Sequence, residues 1–117
     1  TIIPYYEDLF RCSSIVEAAP GEAIYTLDEY HQRVIRSEVD ERGFLQSSHL
    51  FADGGDRSVV TDQAGNVYVA NGDISIFDST GKPIGTIEVP ERPTSLLIAG
   101  DKLYITAVSS LYQVSIQ

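Results

Sequence analysis

Residues 61–81 read TDQAGNVYVANGDISIFDSTG, and this stretch decides the fold. An Asp-x-x-Gly turn, Asp62-Gln63-Ala64-Gly65, leads into an apolar run, Val67-Tyr68-Val69-Ala70. A second run, Ile74-Ser75-Ile76-Phe77, leads into a second turn of the same kind, Asp78-Ser79-Thr80-Gly81. Asp at the first turn position accepts a bond from the backbone N–H two residues on, and Gly takes the positive φ of a bulged hairpin. Short β-rich runs between such turns predict antiparallel hairpins.

Working outward, the pattern recurs. A third Asp-x-x-Gly turn is Asp40-Glu41-Arg42-Gly43, and Ala19-Pro20-Gly21-Glu22 and Ala99-Gly100-Asp101-Lys102 take corresponding places. The runs Ile24-Tyr25-Thr26, Val67-Tyr68-Val69 and Leu103-Tyr104-Ile105 set their tyrosines 43 and then 36 residues apart. A period near forty, built from short strands and tight turns, predicts β-propeller blades. The first blade reads as strands over 14–17, 23–27, 33–39 and 44–51, and the second as 58–61, 66–70, 74–77 and 84–89. The third reads as 95–98, 102–106 and 111–116, one strand short of four. Leu27, Val34 and Ile35 have near-helical spacing, but the stretch aligns with the third strand of the other blades, so no helix is expected. Runs 67–70 and 103–107 are almost continuously apolar, as expected where blades cover both faces.

A propeller needs roughly four to eight blades to close its ring. The expected fold is therefore all-β, a segment of about three blades, 13–56, 57–94 and 95–117, within one domain over 1–117. Residues 1–12 read as the remnant of a preceding element. A part-ring exposes two blade faces and open strand edges, so self-association, or pairing with the missing half of a propeller, is expected.

Apolar residues make up 43% and charged residues 21%, a soluble globular composition. The formal net charge of −9 argues against nucleic acid and anionic membranes as partners. No apolar run approaches the roughly 18 residues of a membrane span. The chain begins Thr1-Ile2-Ile3-Pro4 and shows no signal-peptide pattern, so it reads as processed or cut from a longer chain, with its compartment open. Cys12 is the only cysteine, so no intrachain disulfide can form, and it reads as a small buried apolar residue. No phosphate loop, HExxH, CxxC or GxSxG motif is present.

The ordered series 61–70, 74–82, 85–94 and 102–112, with a looser match over 21–28, resembles the gluconolactonase family, which includes the senescence marker protein regucalcin. The resemblance implies a six-bladed propeller with a divalent cation (Ca, Zn, Mn or Mg) in its central channel. It also implies metal-dependent lactone or ester hydrolysis, on a lactone or sugar-like ligand. In that chemistry the cation polarises the carbonyl and a carboxylate or bound water does the acid/base or nucleophilic work. The family's ligands are an N-terminal Glu, an Asn opening a middle blade and an Asp opening a later one. In this chain the Asn position falls on Ser13, the Asp position falls on Arg57, and Asp56 lies one residue off. A one-residue slip turns a strand's side chains to the other face.

The expectation is therefore a degenerate metal site in a lactonase-like, small-molecule-binding segment. The alternatives are a site re-formed around Asp56 or Asp53 in an active hydrolase completed by a missing half, and a structural interaction propeller. Asp56 and Arg57 are the candidate catalytic residues, and Asp56 the candidate metal ligand. Ser13, Asp28 and Arg92 are candidate substrate contacts, Arg92 because a guanidinium suits a carboxylate or sugar oxygen. Asp28, Glu29, Tyr30 and His31 read as a polar loop at one end of the channel, either solvated or an acid/base pair with a stacking platform. His49 reads as structural.

Overall fold

The Asp-x-x-Gly turns between the strands hold as expected. Asp40, Asp62 and Asp78 each accept a bond from the Gly three residues on, at 3.0, 3.2 and 3.0 Å. In each turn one carboxylate oxygen also accepts the backbone N–H two and four residues on. Gly43, Gly65 and Gly81 take φ of 86°, 88° and 92°, a region closed to most L residues. At Gly81 a Cβ would also lie 2.8 Å from the carbonyl oxygen of Phe51.

The computed structural model describes residues 2, 12–18 and 22–116. Among them, eleven strands form three antiparallel sheets and no helix occurs. The first sheet holds β1 (Cys12–Glu17), β2 (Ala23–Asp28), β3 (Arg33–Val39) and β4 (Leu45–Asp53). The second holds β5 (Val59–Thr61), β6 (Val67–Asn71), β7 (Asp73–Phe77) and β8 (Pro83–Ile87). The third holds β9 (Ser95–Ala99), β10 (Lys102–Thr106) and β11 (Leu111–Ser115). Each is a meander in sequence order, so these are propeller blades, the third with three strands. Of the remnant expected over 1–12, residues 1 and 3–11 lie outside the described residues, as does most of the turn at 19–22, and Cys12 belongs to β1.

The tyrosines of the repeat occupy one position, on β2, β6 and β10, facing Arg36, Ile76 and Gln113 on the following strand. Two cores glue the blades face to face. Tyr25, Leu27, Val34 and Ala52 pack on Val59, Val67 and Val69, and Tyr68, Ala70 and Ile74 pack on Leu96, Leu103 and Ile105. In the middle blade all four residues 67–70 are buried, as expected of a sheet covered on both faces. In β10 only Leu103 and Ile105 are buried, because the chain provides a neighbour on one side.

A single hydrogen bond recurs between blades. Ser14 Oγ accepts the Val59 N–H at 3.1 Å, and Ser58 Oγ accepts the Leu96 N–H at 3.2 Å. These serines mark equivalent points in the first strand of each blade, and Ser95 is the third. Cys12 departs from expectation: it is exposed, because it opens β1, the end strand of its sheet.

Candidate functional site

The meander sorts polar residues to two ends. The turns at 40–43, 62–65 and 78–81 lie at one end. At the other lie the starts of β1, β5 and β9, the turns after β2, β6 and β10, and the blade connections 54–58 and 88–94. Every sequence-derived candidate falls at this second end, the rim.

With the three serines as register marks, Ser13, Arg57 and Thr94 are equivalent, each one residue earlier. Ser13 and Arg57 are exposed. Thr94 instead turns its hydroxyl to Thr106, donating to the carbonyl at 3.2 Å. Ser13 and Ser14 line a cavity of about 530 Å³ along β1, with Cys12, Ile15 and Thr26.

Asp56 is buried, at 8% exposure. Its N–H donates to the Ala70 carbonyl at 2.8 Å, which ties the connection to the end of β6. Its carboxylate is ion-paired with the Arg92 guanidinium from the next connection. Two sequence candidates thus meet, bridging consecutive blade connections. The glycines before Asp56 are explained by packing. Gly55 has φ of 109°, and a Cβ there would lie 2.5 Å from Leu27 Cδ1 and 3.0 Å from Val69 Cγ1.

Asp28 ends β2 with no exposure. One carboxylate oxygen accepts from Arg33 Nε at 3.0 Å and from His31 Nδ1 at 2.9 Å, and the other accepts the His31 backbone N–H at 3.2 Å. Burying a carboxylate requires such partners. The Tyr30 ring meets His31 edge-on, with centroids 5.0 Å apart. Asp28 and His31 are therefore a held pair at the rim. Arg33, which completes the cluster, was not singled out from the sequence; its register partner Asp53 was. The signal was an arginine opening a strand directly after an Asp-ended one.

Glu91 lies in the connection between β8 and β9. It accepts the Ser109 N–H and hydroxyl at 3.2 and 3.0 Å and the Tyr112 hydroxyl at 2.7 Å. The Ser110 hydroxyl first, then those of Tyr112 and Ser109, pull its pKa down to about 2. It is a loop clamp between the last connection and the turn after β10. His49 lies on β4, exposed, with Arg36 as its register partner.

The cation that the resemblance implies is hard and divalent. Such a cation needs about six or more clustered oxygens. The two equivalent positions in hand present a hydroxyl at Ser13 and a guanidinium at Arg57, and the Asp56 carboxylate is engaged by Arg92. Among the described residues, no three His, Cys, Asp or Glu side chains group as a metal site. What the rim does offer is guanidinium and hydroxyl donors, which suit carboxylate and hydroxyl oxygens.

Three meandering blades packed face to face define a segment of a β-propeller. The chain belongs to the family described as the SMP-30/gluconolactonase/LRE-like region, which matches residues 18–109. Among solved structures it is similar to a gluconolactonase from Xanthomonas campestris, with a TM-score of 0.83, 20% identity, and 93% of this chain aligned to 39% of that one. It is similar to a calcium-binding protein, regucalcin, from Agrobacterium tumefaciens, with a TM-score of 0.71, 26% identity, and coverage of 83% and 38%. It is also similar to a luciferin-regenerating enzyme, with a TM-score of 0.73, 19% identity, and coverage of 86% and 38%. No curated protein matches the chain. The chain therefore spans about two fifths of the length of these solved relatives.

Proposed function

We propose that this chain is part of a divergent, lactonase-like propeller that binds a small polar molecule at the rim, with the family's cation positions given over to Ser13 and Arg57. The observation that carries the reading is the engagement of Asp56 by Arg92, directly beside Arg57. A fixed guanidinium a few Å from a divalent ion costs several kcal/mol even at an effective dielectric near 20. The same guanidinium is a good partner for a carboxylate or a carbonyl oxygen. Arg57 is the residue that would hold such a group, with the Ser13 hydroxyl as a second contact.

Isothermal calorimetry with Ca²⁺, Zn²⁺ and Mn²⁺ tests this directly. The unmodified chain is expected to bind none of them at micromolar levels. Ser13→Asn combined with Arg57→Asp is expected to raise affinity in the same protein. Micromolar binding by the unmodified chain, lost on Asp56→Ala, would refute the proposal and favour an active hydrolase with a shifted ligand. A lactone and its ring-opened hydroxy acid, tested by saturation-transfer NMR, probe the ligand class. Binding of either, weakened about tenfold or more by Arg57→Ala, supports an anchoring guanidinium.

A further inference from the structure

The interface between the first and second blades departs from its copy between the second and third at one position. In both, a tyrosine on the blade's second strand faces a residue on its third: Tyr25 faces Arg36, and Tyr68 faces Ile76. Ile76 packs against the apolar core of its interface. Arg36 brings a guanidinium to the same place, and its side chain is only 17% exposed. Beside it lies a cavity of about 260 Å³, at the end of the blades away from the rim. Glu22, Tyr25 and Arg36 of the first blade line one side, and Gln63 and Ser79, from two turns of the second blade, line the other. Both walls belong to this chain.

The hydrogen bonds around Arg36 leave donors over. Nε donates to Glu38 Oε1 at 2.8 Å, and Nη1 donates to the Tyr25 hydroxyl oxygen at 2.6 Å. Among the described residues, nothing accepts from Nη2. Tyr25 is 1% exposed and its hydroxyl accepts from Arg36, so its own O–H hydrogen still lacks an acceptor among the described residues. In the second blade the Tyr68 O–H donates to Asp62, six residues back. The residue six before Tyr25 is Ala19, whose side chain has no acceptor. A guanidinium and a hydroxyl are thus left as neighbouring donors, which suits a carboxylate. Glu22 supplies the opposite charge. Burial first raises the Tyr25 hydroxyl above its ordinary pKa, and the Glu22 charge adds to that, so the two groups lie within electrostatic reach. Among the described residues, Glu22 pairs with no cation.

We propose that this cavity binds a small zwitterion of the α-amino acid class, with its carboxylate on Arg36 Nη2 and the Tyr25 O–H and its ammonium on Glu22. Charge selects this class. Glu38 already compensates Arg36, so Glu22 leaves the cavity with an excess of negative charge, in a chain that carries −9. A simple anion meets net repulsion, and a simple cation leaves the Arg36 and Tyr25 donors unmet. A neutral polyol offers neither group a charge. A zwitterion satisfies both ends of the cavity without adding net charge.

Nitrogen–proton correlation NMR of the whole chain, titrated with L-alanine, tests the site. A ligand of so few atoms binds weakly, so the titration runs to about 20 mM to cover a millimolar dissociation constant. Amide shifts are expected at Gln63, Gly65 and Ser79, in the turns that wall the cavity. Alaninamide lacks the carboxylate and N-acetylalanine lacks the ammonium, and each is expected to bind at least about tenfold more weakly. Glu22→Gln changes an exposed side chain and is expected to weaken alanine about tenfold while leaving N-acetylalanine no weaker. Arg36→Ile, which copies the residue type at the repeat-equivalent position, is expected to abolish binding, with circular dichroism checking that the strand signal is kept. No shifts by about 20 mM would overturn the proposal. So would glycerol or acetate shifting these amides as strongly as alanine does, or alanine binding that Glu22→Gln leaves unchanged.

Discussion

Serine to alanine at 14, 58 and 95 makes one chemical change at one repeat position, yet the three variants should differ. Ser58 is 7% exposed, and its hydroxyl is the acceptor for the Leu96 N–H at the centre of the second interface. Removing that oxygen strands a buried donor, which costs about 1–3 kcal/mol. Ser14 holds Val59 in the same way at 3.1 Å but is only half-buried, so water can replace the lost acceptor and the cost falls to about 0.5–1 kcal/mol. Ser95 is exposed and has no following blade within the chain. Its loss should change the stability of the dilute chain by less than about 0.5 kcal/mol. Urea unfolding followed by tyrosine fluorescence, at protein concentrations low enough to keep monomers, gives the three values on one scale. The order Ser58, Ser14, Ser95 is the result expected. If Ser95→Ala costs as much as Ser58→Ala in dilute protein, the inter-blade bond is not what these serines contribute.

Ile74→Ala empties a fully buried position between the second and third blades and should cost about 2–5 kcal/mol, while Leu111→Ala, its repeat equivalent, should cost less than about 0.5 kcal/mol in dilute chain; the same unfolding assay decides. Burial first, and then the hydrogen bond to Asp62 at 3.1 Å, push the Tyr68 hydroxyl up to about 12. Its folded value is raised, so its contribution is complete below the ordinary value of 10.0 and is lost as pH rises through about 12. Ultraviolet titration should show late-ionising tyrosines, one of which Asp62→Asn brings down. Glu91 is depressed to about 2 from 4.5, so its contribution is complete above pH 4.5 and is lost as pH falls through about 2. Glu91→Gln should flatten acid unfolding across that window, and an unchanged curve would show that the Ser110, Tyr112 and Ser109 hydroxyls do not hold it.

The blades were legible in the sequence because their determinants are local. An Asp-x-x-Gly turn needs four consecutive residues, and a strand needs a short β-rich run, so 40–43, 62–65 and 78–81 could be placed by inspection. Strand ends shifted by a residue or two: the run read as 44–51 is Leu45–Asp53, and that read as 84–89 is Pro83–Ile87. Pairing with the neighbouring strand, which no local pattern encodes, sets where a strand stops. Which residues open the blades, Ser13 and Arg57 among them, was also readable, since each is a residue identity at a counted position.

Tertiary structure decided what those residues meet. Arg92 lies 36 positions from Asp56, and only the packing of consecutive blade connections brings them together. Asp28 read as part of a polar loop and is a buried carboxylate, because Arg33 pairs with it and His31 hydrogen-bonds it at the end of β2. Cys12 read as buried and is exposed, because it opens an end strand. Tyr25, Tyr68 and Tyr104 each follow an aliphatic residue at the same point of the repeat. Two are buried and the third is only half-buried, because burial depends on whether another blade lies across the face. Turns and strands follow from short-range backbone preferences, whereas burial, ion pairing and the chemistry of the rim follow from contacts between segments far apart in the chain.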